Sequence, residues 1–135
     1  MRSDPIDIEQ TPLHLGLGAA VAVLPAWTGD MSWYEDYGAA HGADGNEGRL
    51  VSVHTFDADW DQWEVHPQGH EIVLCLEGTI RLHQELLAGT TVSVEIAPGQ
   101  AVINEPGVWH TADVVGGPVK ALFITAGLGT EGRPR

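Results

Sequence analysis

The sequence predicts an all-β fold, and three observations carry that prediction. Glycine and proline interrupt the chain at short intervals, the stretches between them alternate apolar with polar residues, and those stretches are rich in β-branched and aromatic side chains. Many short strands of this kind close into an antiparallel barrel or sandwich. In chain order the pattern places strands near Ala19-Leu24, Arg49-Phe56, Trp60-Val65, Glu71-Glu77, Thr79-His83, Thr91-Ile96, Ala101-Asn104, Thr111-Val115 and Val119-Thr125. Chain reversals are predicted at Glu77-Gly78-Thr79, Ala88-Gly89-Thr90 and Val115-Gly116-Gly117-Pro118. One stretch departs from the pattern. Within Asp30-Asn46, the residues Met31, Trp33, Tyr34 and Tyr37 are spaced to share a helical face, which predicts a short helix outside the barrel. The first dozen residues and Gly127-Arg135 read as loosely attached ends.

The 135 residues suffice for one domain with a sizeable core, and no repeat, low-complexity tract or internal linker divides them. Six Lys and Arg stand against nineteen Asp and Glu, a net charge of −13. Such a surface repels a phosphate backbone and an anionic bilayer alike, so neither nucleic acid nor membrane is expected as a partner. No apolar run approaches the roughly 18 residues of a membrane span. Met1-Pro12 is acidic and polar, unlike a secretory signal, and a soluble cytoplasmic protein is the expectation. Cys75 is the one cysteine, which excludes an internal disulfide.

Chemistry concentrates in two segments: Trp63-Glu64-Val65-His66-Pro67-Gln68-Gly69-His70-Glu71, leading through an apolar strand to Gly78, and Pro98-Gly99 through Gly107-Val108-Trp109-His110. Alternation puts Glu71, Val73 and Cys75 on one face of their strand and Ile72, Leu74 and Leu76 on the other. Because both faces are mostly apolar, Glu71 is a carboxylate in an otherwise dry space, and it needs a cation, a hydrogen-bond donor or a proton beside it. Glu64 and His66, two residues apart, share a face. His54, Trp60, Trp63, Cys75 and Trp109 are taken as the lining of a small-molecule pocket; the residues alone leave open whether the tryptophans pack a core or an interface instead. His70 faces away from Glu71, and His14, His41 and His83 read as structural or surface residues.

These two segments resemble the paired motifs of the cupin superfamily, in which two histidines separated by one residue precede a glutamate and a later segment supplies another histidine. His66, Glu71, Gly78 and His110 match that pattern. Glu64 stands at the first histidine position, Glu105 stands where a proline is usual with Pro106 after it, and Val114 stands where an asparagine is often found. The resemblance implies a cupin-type double-stranded β-helix, a jelly-roll barrel with its core at about residues 48–127 of a single domain spanning 1–135. It implies a divalent transition metal, Fe, Mn, Ni or Zn, held by His66, Glu71 and His110 with Glu64 as a further oxygen donor. Glu64 and Glu71 are then the catalytic carboxylates of an oxygenase or isomerase acting on a small organic molecule, in a homodimer. The alternative is a non-enzymatic, metal-free ligand-binding or sensor module in which Glu64 and His66 hydrogen-bond to one another.

Overall fold

The computed structural model describes residues 4–86 and 89–135. Among them the chain forms β1 (Leu13–Leu15), β2 (Val21–Val23), α1 (Met31–His41), β3 (Arg49–Phe56), β4 (Gln62–Val65), β5 (Glu71–Glu85), β6 (Thr91–Ile96), β7 (Ala101–Asn104), β8 (Trp109–Thr125) and β9 (Glu131–Pro134). Every pairing is antiparallel. The order β2-β1-β3-β8-β4-β9 forms one path, and β5 joins it at β8 while carrying β6 and β7.

β5 and β8 are long because each serves twice. Ile72–Leu74 of β5 pairs with β7 and with the end of β8, whereas Ile80–Glu85 pairs with β6 and with the start of β8. This shared pair, bent at its middle, folds the sheet over itself into a jelly-roll barrel. Two of the predicted reversals are therefore corrected: Gly78 and Gly116-Gly117 do not turn the chain but mark the bend, with register shifts between Cys75 and Ile80. Gly78 sits at φ +78°, and a Cβ there would stand 2.6 Å from the carbonyl oxygens of both Gly116 and Pro118. Only glycine permits so close a crossing, and a bulge absorbs it without reversing the strand. At the third predicted reversal Ala88 lies outside the described residues; Gly89 has φ +75° and the Leu86 amide donates to the Thr90 carbonyl at 2.7 Å.

The C-terminal end is better tied than the sequence suggested, and near the N-terminus the Gln10 carbonyl accepts from the Trp27 amide at 2.8 Å and the Pro12 carbonyl from the Leu24 amide at 3.0 Å. β1 hydrogen-bonds β2 and β3, and β9 pairs with β4 from Gln62 to Val65. Arg135 bonds Asp113 at 2.6 Å, and Arg133 pairs with Glu85 while its guanidinium lies 5.4 Å from the Trp63 ring and 4.5 Å from the Trp109 ring. Neither β1 nor β9 shows a long alternating run, so only these tertiary contacts reveal them.

α1 is the short helix predicted within Asp30-Asn46, and the Gly- and Asp-rich stretch after it, Gly42–Glu47, forms a 3-10 turn. Its one buried residue, Trp33, donates its indole N–H to the Pro25 carbonyl at 3.1 Å and stacks on Tyr37. No helix among the described residues is long and apolar enough to cross a membrane. The core consists of Val73, Cys75, Ile80, Leu82, Ile96, Ala112, Val119, Ala121 and Phe123. Beside it opens a cavity of about 800 Å³, to which α1 contributes Tyr34, Tyr37 and His41, and the barrel strands contribute His54, Phe56, Glu64 and Glu71.

Candidate metal centre

β4, the segment after it, β5 and β8 bring four side chains together. Glu64 on β4 pairs in register with His110 on β8, and alternation carries His66 to the same side as Glu64. Glu71 opens β5 and meets both histidines: its Oε2 is 3.1 Å from His66 Nε2 and its Oε1 is 3.1 Å from His110 Nε2. Glu64 Oε2 lies 3.9 Å from His66 Nε2, and Glu64, His66 and His110 present ligand atoms within 4.8 Å of one another. His66, Glu71 and His110 are buried, while Glu64 exposes part of its side chain to the cavity.

Hydrogen bonds behind the rings decide which nitrogen each histidine offers. His110 Nδ1 faces the Val108 carbonyl at 3.3 Å, which can only accept, so Nδ1 carries the proton. His66 Nδ1 is 2.8 Å from Thr130 Oγ1, and the Thr130 hydroxyl itself donates to the Gly127 carbonyl at 2.9 Å. The Thr130 oxygen therefore accepts, and His66 Nδ1 is the donor. In the neutral rings both Nε2 atoms are left with lone pairs. Both are fully enclosed and neither makes a hydrogen bond, because the Glu71 oxygens, though close, lie off the direction such a bond requires. Two buried imidazole lone pairs converging beside a carboxylate fit a divalent transition ion.

The two carboxylates differ electrostatically. Burial alone would raise the Glu71 carboxyl, but its contacts with His110 and His66 outweigh burial and hold it well below the usual carboxylate range. Asn104 Nδ2 donates to Glu71 Oε1 at 3.0 Å and the Thr125 hydroxyl donates to Oε2 at 2.7 Å, which fixes the carboxylate in the charged form. Glu64 moves the other way. Burial and then the neighbouring Glu71 charge push it up, with His66 and His110 offsetting part of the rise. For His110, burial favours the neutral ring, yet the Glu71 contacts prevail and raise its pKa.

Of the residues taken from the sequence as pocket lining, His54 and Trp60 do line the cavity. Burial lowers the His54 pKa, and its ring packs 4.6 Å from Trp27. Trp63, Cys75 and Trp109 stand elsewhere. Trp63 and Trp109 immediately precede Glu64 and His110, so strand alternation sends them to the opposite face, where they clasp Arg133. Cys75 shares the face of Glu71 but lies deeper, fully buried, with its thiol 3.3 Å from the Gly78 carbonyl and its pKa raised by burial. His70 is exposed and absent from the cluster. Sequence reasoning missed Asn104, Thr125 and Thr130, whose proximity to the ligands arises from strand pairing; it also missed the cavity walls supplied by Trp27, Tyr34 and Phe123. His14 and His41, read as structural, line the same cavity and form a second group with Asp44.

Comparison with known proteins bears on the fold. Among solved structures, oxalate decarboxylase of Bacillus subtilis aligns over 64% of this chain and 23% of its own, at 16% identity and a TM-score of 0.52. The coconut allergen cocosin aligns over 64% of this chain and 22% of its own, at 16% identity and a TM-score of 0.51. A Sphingomonas hydroquinone 1,2-dioxygenase aligns over 57% of this chain and 58% of its own, at 14% identity and a TM-score of 0.49. The chain thus spans less than two thirds of each. No curated protein matches by sequence. The family model described as the cupin domain matches residues 52–125, which run from β3 through the end of β8 and hold all four clustered side chains, and the chain belongs to the cupin family.

Proposed function

We propose that this cupin binds a small organic molecule in its cavity above a divalent transition metal held by His66, His110 and Glu71, with Glu64 at the cavity side of the ion. The observation that carries the proposal is the pair of enclosed Nε2 atoms of His66 and His110, neither with a hydrogen-bond partner among the described residues, each ring being held by a hydrogen bond from its Nδ1. When bound, such an ion supplies a Lewis acid for a ligand oxygen. Glu71 stays ionised and serves as a ligand. Glu64, whose pKa burial and the Glu71 charge raise, is the carboxylate at the cavity surface that exchanges a proton with the bound molecule, so the two carboxylates divide the ligand and acid/base roles. An oxygenase or isomerase acting on a small oxygenated compound is the reading these roles support; we place it in the cytoplasm, as a homodimer.

Elemental analysis of protein purified without chelator tests it. About one transition ion per chain is expected, falling severely in His110→Ala and only in part, or with a change of ion, in Glu64→Gln. A native protein without stoichiometric metal, whose ligand binding survives His110→Ala unchanged, would instead be a metal-free binding module.

A further inference from the structure

The cavity has a second polar end. His14 on β1 pairs with Leu50 on β3, Leu50 pairs with Thr125 on β8, and Thr125 bonds Glu71 on β5. All four side chains line the cavity, so its floor is one cross-strand row with Glu71 at one end and His14 at the other. Three strand spacings separate them, about 14 Å.

At the His14 end the hydrogen bonds run in one direction. Asp44 Oδ2 lies 2.6 Å from His14 Nε2, and Tyr37 Oη lies 2.7 Å from His14 Nδ1. A carboxylate accepts, so Nε2 carries the proton and Nδ1 accepts from the Tyr37 hydroxyl. The Tyr37 proton is thereby committed to His14, and its oxygen is left to accept a hydrogen bond from whatever occupies the cavity. The chain approaches this group closely: a Cβ on Gly48 would stand 2.9 Å from the His14 ring, and one on Gly16 would stand 3.2 Å from Asp44.

The charge of the lining is one-sided. Glu9, Glu35, Glu64 and Glu71 face the cavity and no lysine or arginine does, among the described residues. Glu9 is matched by Lys120 at 3.7 Å, but Lys120 is not part of the lining. Without an ion this acidic lining offers an anion no attraction. Trp27, Tyr34, Phe56, Trp60 and Phe123 supply aromatic faces to the same cavity.

We propose that the ligand class is an uncharged hydroxylated aromatic, whose ring packs between the aromatic walls and whose hydroxyl donates to the Tyr37 oxygen. The proposal rests on the reading of this cavity as the ligand site, and it names the substrate class without requiring the metal.

Intrinsic tryptophan fluorescence with naphthol, methoxynaphthalene and naphthoate tests it, on the protein as purified and after chelation. In the chelated chain, naphthol should bind about fivefold more tightly than methoxynaphthalene and at least about tenfold more tightly than naphthoate. Tyr37→Phe should erase the preference for naphthol over its methyl ether. Nuclear Overhauser contacts between naphthol and the Tyr37 ring in the unaltered chain make the same point if the variant fails to fold. Absence of saturable naphthol binding, equal binding of naphthoate, a naphthol preference that survives Tyr37→Phe, or missing contacts to Tyr37 overturns the assignment. Metal content of His110→Ala is read separately, so loss of the metal reading and loss of the ligand class are distinct results.

Discussion

His66, Glu71 and His110 were legible because their spacing within two glycine-bounded segments survives as a pattern in the sequence. Thr130 was not. It stands 64 residues from His66 and reaches it only because the chain after β8 returns beside β4, a proximity no local pattern encodes. Its role nevertheless follows once the bond is seen: by accepting from Nδ1 it fixes the tautomer that leaves Nε2 free. Thr130→Val should therefore weaken metal retention by about 10-fold or more, measured by competition with a chromogenic chelator, while leaving the fold intact. A variant that holds metal as tightly as the native chain would remove Thr130 from the site. Tyr37 permits a pH prediction at the same scale. Burial and then the Asp44 charge push its phenol up to about 12 from an ordinary value of 10.0. Between those values the folded chain holds a proton that the unfolded chain has lost, so Tyr37 leaves stability unaffected below pH 10.0 and lowers it as pH rises toward 12. Urea midpoints taken across that interval should fall, and less steeply in Tyr37→Phe; Tyr34, also raised by burial, accounts for part of the remaining slope.

At the scale of elements, alternation located the strands but misjudged what joins them. Glycine beside β-branched residues is the signature of a hairpin, and Gly78 and Gly116-Gly117 carry it, yet β5 and β8 run straight through. The difference lies in pairing: a strand that must serve two partners at different angles needs a bulge, and bulge and turn draw on the same residue. Trp63 and Trp109 show the converse, since strict alternation from Glu64 and His110 already assigns them to the outer face. Gly78→Ala combines a positive-φ backbone with a collision against two carbonyl oxygens, and it should cost about 3 kcal/mol or more in urea unfolding. A cost under about 1 kcal/mol would mean that the bend relaxes freely. By contrast, Gly89 has nothing among the described residues within 4 Å of its would-be Cβ, so Gly89→Ala should cost less.

The sheet face opposite the cavity is only partly covered by the chain itself, with Val51 and Val53 buried and its ends open. Opposite the row that floors the cavity, Val23, Leu13, Val51, Ile124, Ile72 and Ile103 align across β2, β1, β3, β8, β5 and β7. Ala101, Leu74 and Leu122 run beside them on the same side, followed by Val53. Ile103 is 57% exposed and Val23 38% exposed, so the ends of this apolar row meet solvent in the single chain. A sheet face with apolar side chains on both ends is self-complementary about a two-fold axis, and a second copy of the chain is the occupant we expect. Charge works against it, because two chains each carrying −13 repel. The association should therefore tighten as added salt screens that repulsion, the reverse of what an ion-paired interface would show. Sedimentation equilibrium at low and moderate ionic strength should give a dimer favoured by salt, and Ile103→Lys should shift it toward monomer by burying an unpaired charge in the apolar row. A monomer at both ionic strengths would remove the dimer, and a dimer indifferent to Ile103→Lys would place the interface on another face.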